Sequence, residues 1–255
     1  MSSAARATLE SLLRARKLDT TLTSARPLEP STAVPAPTGL AALDEKLSGG
    51  LPRGELSEVV GPRSSGRTRI ATAALAAATG RGELAALVDT LDRFDPPSAA
   101  GLAWQQLLWI RGTPLGPAER TSPAGRAAHA DDPLSRAVDR AVKAAALVLS
   151  AGGFGLLVVD FADVPPTALR RLPFTTWLRL ERMLEGRDTA CLILAAEPVA
   201  RSAGGVSLRA DSRGVEPGTW AGSSHRARRL AGLEVRLSLA RARFASDDVC
   251  VSLPA

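Results

Sequence analysis

Between Glu58 and Thr68 the chain reads EVVGPRSSGRT: an apolar run, a loop with glycine at its first and sixth positions, then Arg67 and Thr68 at the head of an alanine-rich stretch. A strand that ends in such a loop and turns directly into a helix leaves few folds open. The glycines let backbone N–H groups converge, and the helix aims its positive end at the same point. This is the pattern of a phosphate-binding loop, G-x-x-x-x-G-K-[ST], with Gly61, Gly66 and Thr68 in place and Arg67 in the lysine slot. A lysine reaches between terminal phosphates as a compact charge, whereas a guanidinium is planar and bulkier and displaces something from the same cradle. The loop is therefore expected to keep its geometry and to bind nucleotide weakly or not at all. On the loop alone, a strand-to-helix turn with no ligand is the alternative.

The remaining pattern alternates strand and helix. GELSEVVG reads as a strand, Thr68 to Thr79 as a helix, LAALVD as a strand, a stretch around Ala99 to Leu107 as helical and LLWIR as a strand. Gly112 to Pro133 is rich in Pro, Gly and charge and reads as a long surface loop. A helix from Leu134 to about Ser150, the strand FGLLVVD, a helix from Thr167 to Glu185 and the strand TACLILAAE follow, and the chain finishes in strand-like LEVRLSLARARF and DVCVSL. A second loop, rich in Gly, Ser and Arg, is expected between Ala200 and Ser224. This order predicts an α/β fold, a mostly parallel sheet flanked by helices. In LLVVD, four apolar residues deliver Asp160 to the place where a phosphate-loop sheet sets its acid opposite Mg²⁺; an apolar strand ending in Asp by chance is the alternative.

Leu9, Leu12 and Leu13 recur at helical spacing, with Arg14, Arg16 and Lys17 on other faces, and describe a short amphipathic helix. SARPLEPSTAVPAPT, Ser24 to Thr38, carries four prolines and no apolar face and reads as a tether. The expected division is an arm with its tether over residues 1–37 and a core over 38–255. The three leucines are candidate anchors for a partner, helix-in-groove fashion, or pack on their own core.

At 255 residues with 45% hydrophobic content the chain can bury a full core. No apolar run of membrane-spanning length occurs and charges interrupt the first residues, so a cytoplasmic, nucleoid-associated location without membrane contact is expected. His129 and His225 are the only histidines, and no metal-ligand spacing accompanies them. Cys191 and Cys250 each sit in an apolar strand-like run and are expected as buried thiols. Net charge is +6, carried almost wholly by arginine. Two readings stay open: a footprint for nucleic acid, or the solvated surface of an Ala/Arg-rich composition.

GLAALDEKLSGGLPRGELSEVVGPRSSGRT, Gly39 to Thr68, resembles the opening of the RecA-type recombinase core. LAALVDTLDRFDPPSAAGL resembles that core's second strand with its downstream Asp-Pro, and FGLLVVDFADVPP its acidic strand. Within that family AGGFGLLVVD, TTWLRLERMLEGRDTACLILA and the Arg-rich C-terminal strand are most similar to ImuA-type accessory proteins of bacterial damage-inducible (SOS) mutagenesis cassettes. The resemblance implies work in translesion synthesis beside an ImuB-type polymerase-like protein, a damage-inducible replicative-type DNA polymerase and RecA.

Carried over position by position, the resemblance puts Leu91 where an active recombinase has its catalytic glutamate, and Ser98 where a tyrosine stacks on adenine, with Asp95 retained nearby. It puts Glu197 in place of a phosphate-sensing glutamine. Leucine cannot polarise a water, and a glutamate repels a triphosphate. With Arg67 these departures imply a protein that is not an enzyme and carries neither ATP nor Mg²⁺ as a working cofactor. A weak DNA-dependent ATPase that remodels recombinase filaments, and a DNA-binding protein without a dedicated partner, are the alternatives. The family's DNA-lining loops map onto Arg201, Arg209 and Arg213, followed by Arg226, Arg228 and Arg229. Such cations suffice for phosphate contact, and Trp220 is the one aromatic of that region, which favours backbone contact over base reading. Pairing of these arginines with Asp211, Glu216 and Glu234 is the competing reading.

Overall fold

Four segments, LSEVV, AALVD, LLVVD and ACLILA, are apolar at almost every position, which suits strands covered on both faces. The structure is a computed structural model that describes residues 33–116, 132–199, 205–211, 219–224, 229–241 and 248–254. The strands are β1 (Leu56–Val60), β2 (Ala85–Asp89), β3 (Leu107–Arg111), β4 (Leu156–Asp160), β5 (Ala190–Ala195), β6 (Ser207–Asp211), β7 (Thr219–Ala221), β8 (Arg229–Arg241) and β9 (Val249–Pro254). They form one nine-stranded sheet in the order β3-β2-β4-β5-β1-β6-β8-β7, with β9 also paired to β8. From β3 to β6 the neighbours run parallel; β8 is antiparallel to β6, β7 and β9. The chain therefore has an α/β, RecA-like core.

The two-residue period of the strands sorts the core into two layers. Val59, Leu87, Val158 and Leu192 face α1 (Ala41–Lys46) and α2 (Arg67–Gly80). Val60, Val88, Val159 and Ile193 face α3 (Pro133–Ala151), the short α4 (Pro166–Leu169) and α5 (Phe174–Leu184). In α2 the buried Ala71, Ala74 and Ala78 let the helix lie close against the sheet. Ahead of β1, the Asp44 carboxylate accepts from the Thr38 backbone N–H at 2.7 Å, the Thr38 hydroxyl at 2.7 Å and the Gly39 N–H at 3.1 Å, closing the turn that starts α1.

Several expectations are corrected. No α-helix spans Ala99 to Leu107; a 3₁₀ turn, Trp104–Gln106, stands there and another, Pro96–Ser98, precedes it, and Gly101 at φ +81° interrupts the helical path between them. The helix expected over Thr167–Glu185 is broken into α4 and α5, with Pro173 at the break. The stretch from Ala200 to Ser224 is not all loop, since it contains β6 and β7. Cys191 is buried and Cys250 exposed, because β9 turns Val249, Val251 and Leu253 inward. Ala36, at the end of the expected tether, is buried and bridges Leu51. The arm with Leu9, Leu12 and Leu13 lies outside the described residues. Among the described residues no helix is long and apolar enough to cross a membrane.

β6, β8 and β9 close against the back of the Gly61–Thr68 loop. A Cβ on Gly61 would meet the Ala210 carbonyl oxygen at 2.3 Å, and one on Gly66 would meet Val235 Cγ2 at 2.6 Å. Gly66 also holds φ +88°. Gly66→Ala adds left-handed strain to overpacking and is expected to lose about 3 kcal/mol or more. Gly82→Ala, at φ +81° with open space around its Cβ position, carries the strain alone and is expected to lose about 1–2 kcal/mol. Denaturant titration of the two variants checks the difference.

Candidate nucleotide site at the strand ends

The parallel register sets Asp89 beside Asp160 at the ends of β2 and β4, and the loop after β1 reaches over both. Between them lies a cleft of about 440 Å³ whose lining includes Arg63, Arg67, Thr68, Leu91, Arg93 and Asp163. Ser64 at φ +60° and Gly66 at +88° bend the loop. α2 then starts at Arg67 with no side chain capping its first N–H groups, so the helix turns its positive end to the cleft.

Arg67 is 5% exposed, and its Nη1 donates to the Ala162 carbonyl oxygen at 3.2 Å. The guanidinium thus crosses from the loop to the segment after β4. Burial lowers its pKa, and the charges of Asp160 and Asp163 oppose that shift. Asp160 accepts from the Ala162 N–H at 2.7 Å. Burial pushes its carboxyl up to about 6; the Ala162 N–H and Arg67 pull it down, and Asp89 and Asp163 push it further up. Arg63 pairs with Asp163 at 3.1 Å across the mouth of the cleft. Among the described residues no group of three or more His, Cys, Asp or Glu could hold a metal ion.

Asp89 is the buried acid of the site, at 1% exposure. Its Oδ1 accepts from the Arg93 N–H at 2.8 Å; its Oδ2 accepts from the Phe94 N–H at 2.9 Å and Trp109 Nε1 at 3.3 Å. The carboxylate fixes the reversal of the chain after β2. Leu91, within that reversal, is 2% exposed and packs into the layer of α3 and α5. Asp95 lies outside the cleft lining and accepts from the Ser98 hydroxyl, while the Ser98 carbonyl accepts from Arg69 of α2. Glu197 is exposed, is paired with Arg170 and does not line the cleft.

The structure therefore brings together Gly61, Gly66, Arg67, Thr68 and Asp160, and sets Asp95 and Glu197 apart. It adds Arg63, Asp89, Arg93 and Asp163, which the loop motif does not mark; only Asp89, an acid ending an apolar strand, carries a sequence signal. Of the arginines read as DNA contacts, Arg209 is exposed on β6 in register with Val60, one residue before the loop. Arg229 opens β8. Arg201, Arg213, Arg226 and Arg228 lie outside the described residues.

Residues 29–110 match the RecA N-terminal domain family. This region is RecA-like. Protein RecA of Chlorobaculum tepidum is 52% identical over 66 residues, 26% of this chain and 19% of that protein. Protein RecA of Salinispora tropica is 51% identical over 72 residues, covering 28% and 20% of the two chains, and that of Arthrobacter sp. is 49% identical over 67 residues, covering 26% and 19%. The matched segment spans about a fifth of the length of these relatives. Residues 29–110 hold α1, β1, the loop, α2, β2 and all but the last residue of β3.

The raised pKa of Asp160 has a consequence for stability. A folded carboxyl that holds its proton up to about 6, against 3.8 in the unfolded chain, stabilises the fold at low pH, and the contribution disappears as pH rises through about 6. Asp160→Asn has no such proton. Its stability relative to the unsubstituted protein is expected to rise by on the order of 2 kcal/mol between about pH 4 and about pH 7, read from denaturant curves at each pH.

Proposed function

We propose that this chain is a recombinase-related accessory protein in which a RecA-like core keeps the phosphate loop as a structural joint and does not turn over ATP. The observation that carries the reading is the Arg67 guanidinium, which spans from the loop to Ala162 and stands beside Asp160. A Mg²⁺ ion held by Thr68 and Asp160 would bring its own positive charge to the place that this fixed cation occupies, so the residues present do not fit a metal–triphosphate complex and no catalytic step is routed through one. Leu91 gives the same direction, because it offers no proton acceptor where an attacking water would need one. The packing of Gly61 and Gly66 against β6, β8 and β9 supplies a structural reason for the loop to persist without chemistry.

From the resemblance to ImuA-type proteins we infer a role in damage-induced (SOS) translesion synthesis and mutagenesis. The partners are an ImuB-type polymerase-like protein, RecA and a damage-inducible replicative-type DNA polymerase, with Leu9, Leu12 and Leu13 as an anchor for RecA. A second reading, a weak DNA-dependent ATPase acting on recombinase filaments, is favoured by the retained Thr68, Asp160 and the cleft between them. Phosphate release from Mg-ATP, measured with and without single-stranded DNA, separates the two. Release at background in both conditions is expected; release abolished by Asp160→Asn would establish the second reading.

DNA enters through the arginines after β5. Exposed Arg209 beside the loop supports a basic track there. Replacing Arg226, Arg228 and Arg229 together with alanine is expected to weaken binding equally on unrelated sequences and to reduce the slope of log affinity against log salt by about two to three. Fluorescence anisotropy over a salt series measures both, and an unchanged slope would move the contact elsewhere on the protein.

A further inference from the structure

Strand β3 ends the sheet, with β2 on one side and none of the described strands on the other. Gly112, just past the strand, donates its N–H to the Asp89 carbonyl oxygen of β2 at 2.8 Å. The two-residue alternation therefore turns the backbone groups of Leu108 and Ile110 toward β2 and those of Leu107, Trp109 and Arg111 outward. The Leu107 N–H is used locally, by the Trp104 carbonyl. The Leu107 carbonyl, both backbone groups of Trp109 and the Arg111 N–H line the open edge.

Such an edge is ordinarily guarded by a lysine, a proline, a bulge or a covering element. LLWIR holds no lysine or proline and pairs with β2 without a register shift, whereas the β6–β8 and β7–β8 pairings at the other end of the sheet each carry one. The single charge of β3 is turned back on its own molecule. Arg111 gives Nε and Nη2 to Asp92 at 2.8 Å and lies over the Trp109 ring, 4.9 Å from its centroid. What the edge presents is apolar: Leu108 is 45% exposed and Trp104 44%. Phe94 meets Trp104 and Trp109 edge-to-face at 6.4 and 5.4 Å, which holds these aromatic groups in place.

The strand also complements itself. A two-fold axis perpendicular to the sheet at Trp109 sets the β3 of a second copy antiparallel to the first. Trp109 then exchanges N–H and carbonyl with Trp109 of the second copy, and each Arg111 N–H reaches the Leu107 carbonyl across from it. On the α3 face, Leu108 meets Ile110 of the second copy at a close, non-hydrogen-bonded position that covers the exposed leucine. Charge fits as well, because each Arg111 keeps its own Asp92 and stands opposite a leucine at its own end of the pairing, so no like charges meet. An axis at Leu108 or Ile110 fails, since their backbone groups are spent on β2. The area is modest. A five-residue strand with Leu108 and Trp104 covers less than the roughly 800 Å² per partner of a standard interface, which sets the expected dissociation constant in the micromolar range.

We propose that β3 is a homodimer edge, at which two copies of this chain pair through antiparallel β3 strands about Trp109 into one continuous sheet.

Sedimentation equilibrium of the full chain across the micromolar range is expected to show a reversible monomer–dimer equilibrium. Leu108→Lys changes an exposed side chain, and the two-fold repeats the added charge. It is expected to raise the dissociation constant at least about tenfold and to leave the melting temperature of the dilute monomer unchanged. Disulfide trapping reads the register. With the exposed Cys250 replaced by serine, Leu108→Cys combined with Ile110→Cys is expected to give an interchain disulfide on mild oxidation, since such neighbours stand about 4.5 Å apart at Cα. Leu108→Cys alone, two residues out of register with its own copy, is expected to stay reduced. A monomer across the whole range, a dimer that Leu108→Lys leaves intact, or a dimer whose paired cysteines do not cross-link would each overturn the proposal.

Discussion

No side chain fits at Gly61 or Gly66, and much of the molecule is arranged around that restriction. The loop after β1 is pressed between the cleft in front and the β6, β8 and β9 strands behind, with the Ala210 carbonyl and the Val235 side chain inside contact distance of any added Cβ. A loop held this closely keeps its shape through packing alone. It fixes where α2 begins, hence where Arg67 emerges, and so which charges face Asp160. Ligand binding is not required to explain why the two glycines stand where they do.

In front of the loop, charge is settled internally. Arg67 leans on the Ala162 carbonyl beside Asp160, Arg63 pairs with Asp163, and Asp89 is consumed by two backbone N–H groups and an indole. The two acids that the sheet sets side by side have different surroundings. Asp89 receives three donors, whereas Asp160 receives one and is pushed toward its neutral form by burial. A site of this kind is balanced as it stands, and a highly charged ligand with its own metal would have to disturb that balance to enter.

Long-range ties hold the opposite end of the sheet. Arg53 donates to the carbonyls of Val34, Gly155 and Asp188 and to the Glu83 carboxylate, so one guanidinium fastens the segments that enter β1, β2, β4 and β5. With the strand entries fixed, the strand ends are fixed too, and the register that places Asp89 against Asp160 follows. The cleft depends on this as much as on its own lining.

The features legible in the amino-acid order were local: the apolar runs that must be buried strands, the loop with its two glycines, the alanine-rich helix after it, and Asp160 at a strand end. These signals lie within a few residues of one another, and the physics that produces them is equally short-ranged. Tertiary structure decided the rest. β6 exists because Val59 and Val60 offer Leu208 and Arg209 an open edge, which composition reads only as a loop. Cys250 faces out because β9 pairs in the register that spends Val249 and Val251 on the core. Asp89 took the Trp109 indole and Glu197 became a partner of Arg170, since each outcome depends on a residue 20 or more positions away. Charge and hydrogen bonding act across space, and only the folded chain sets which groups share it.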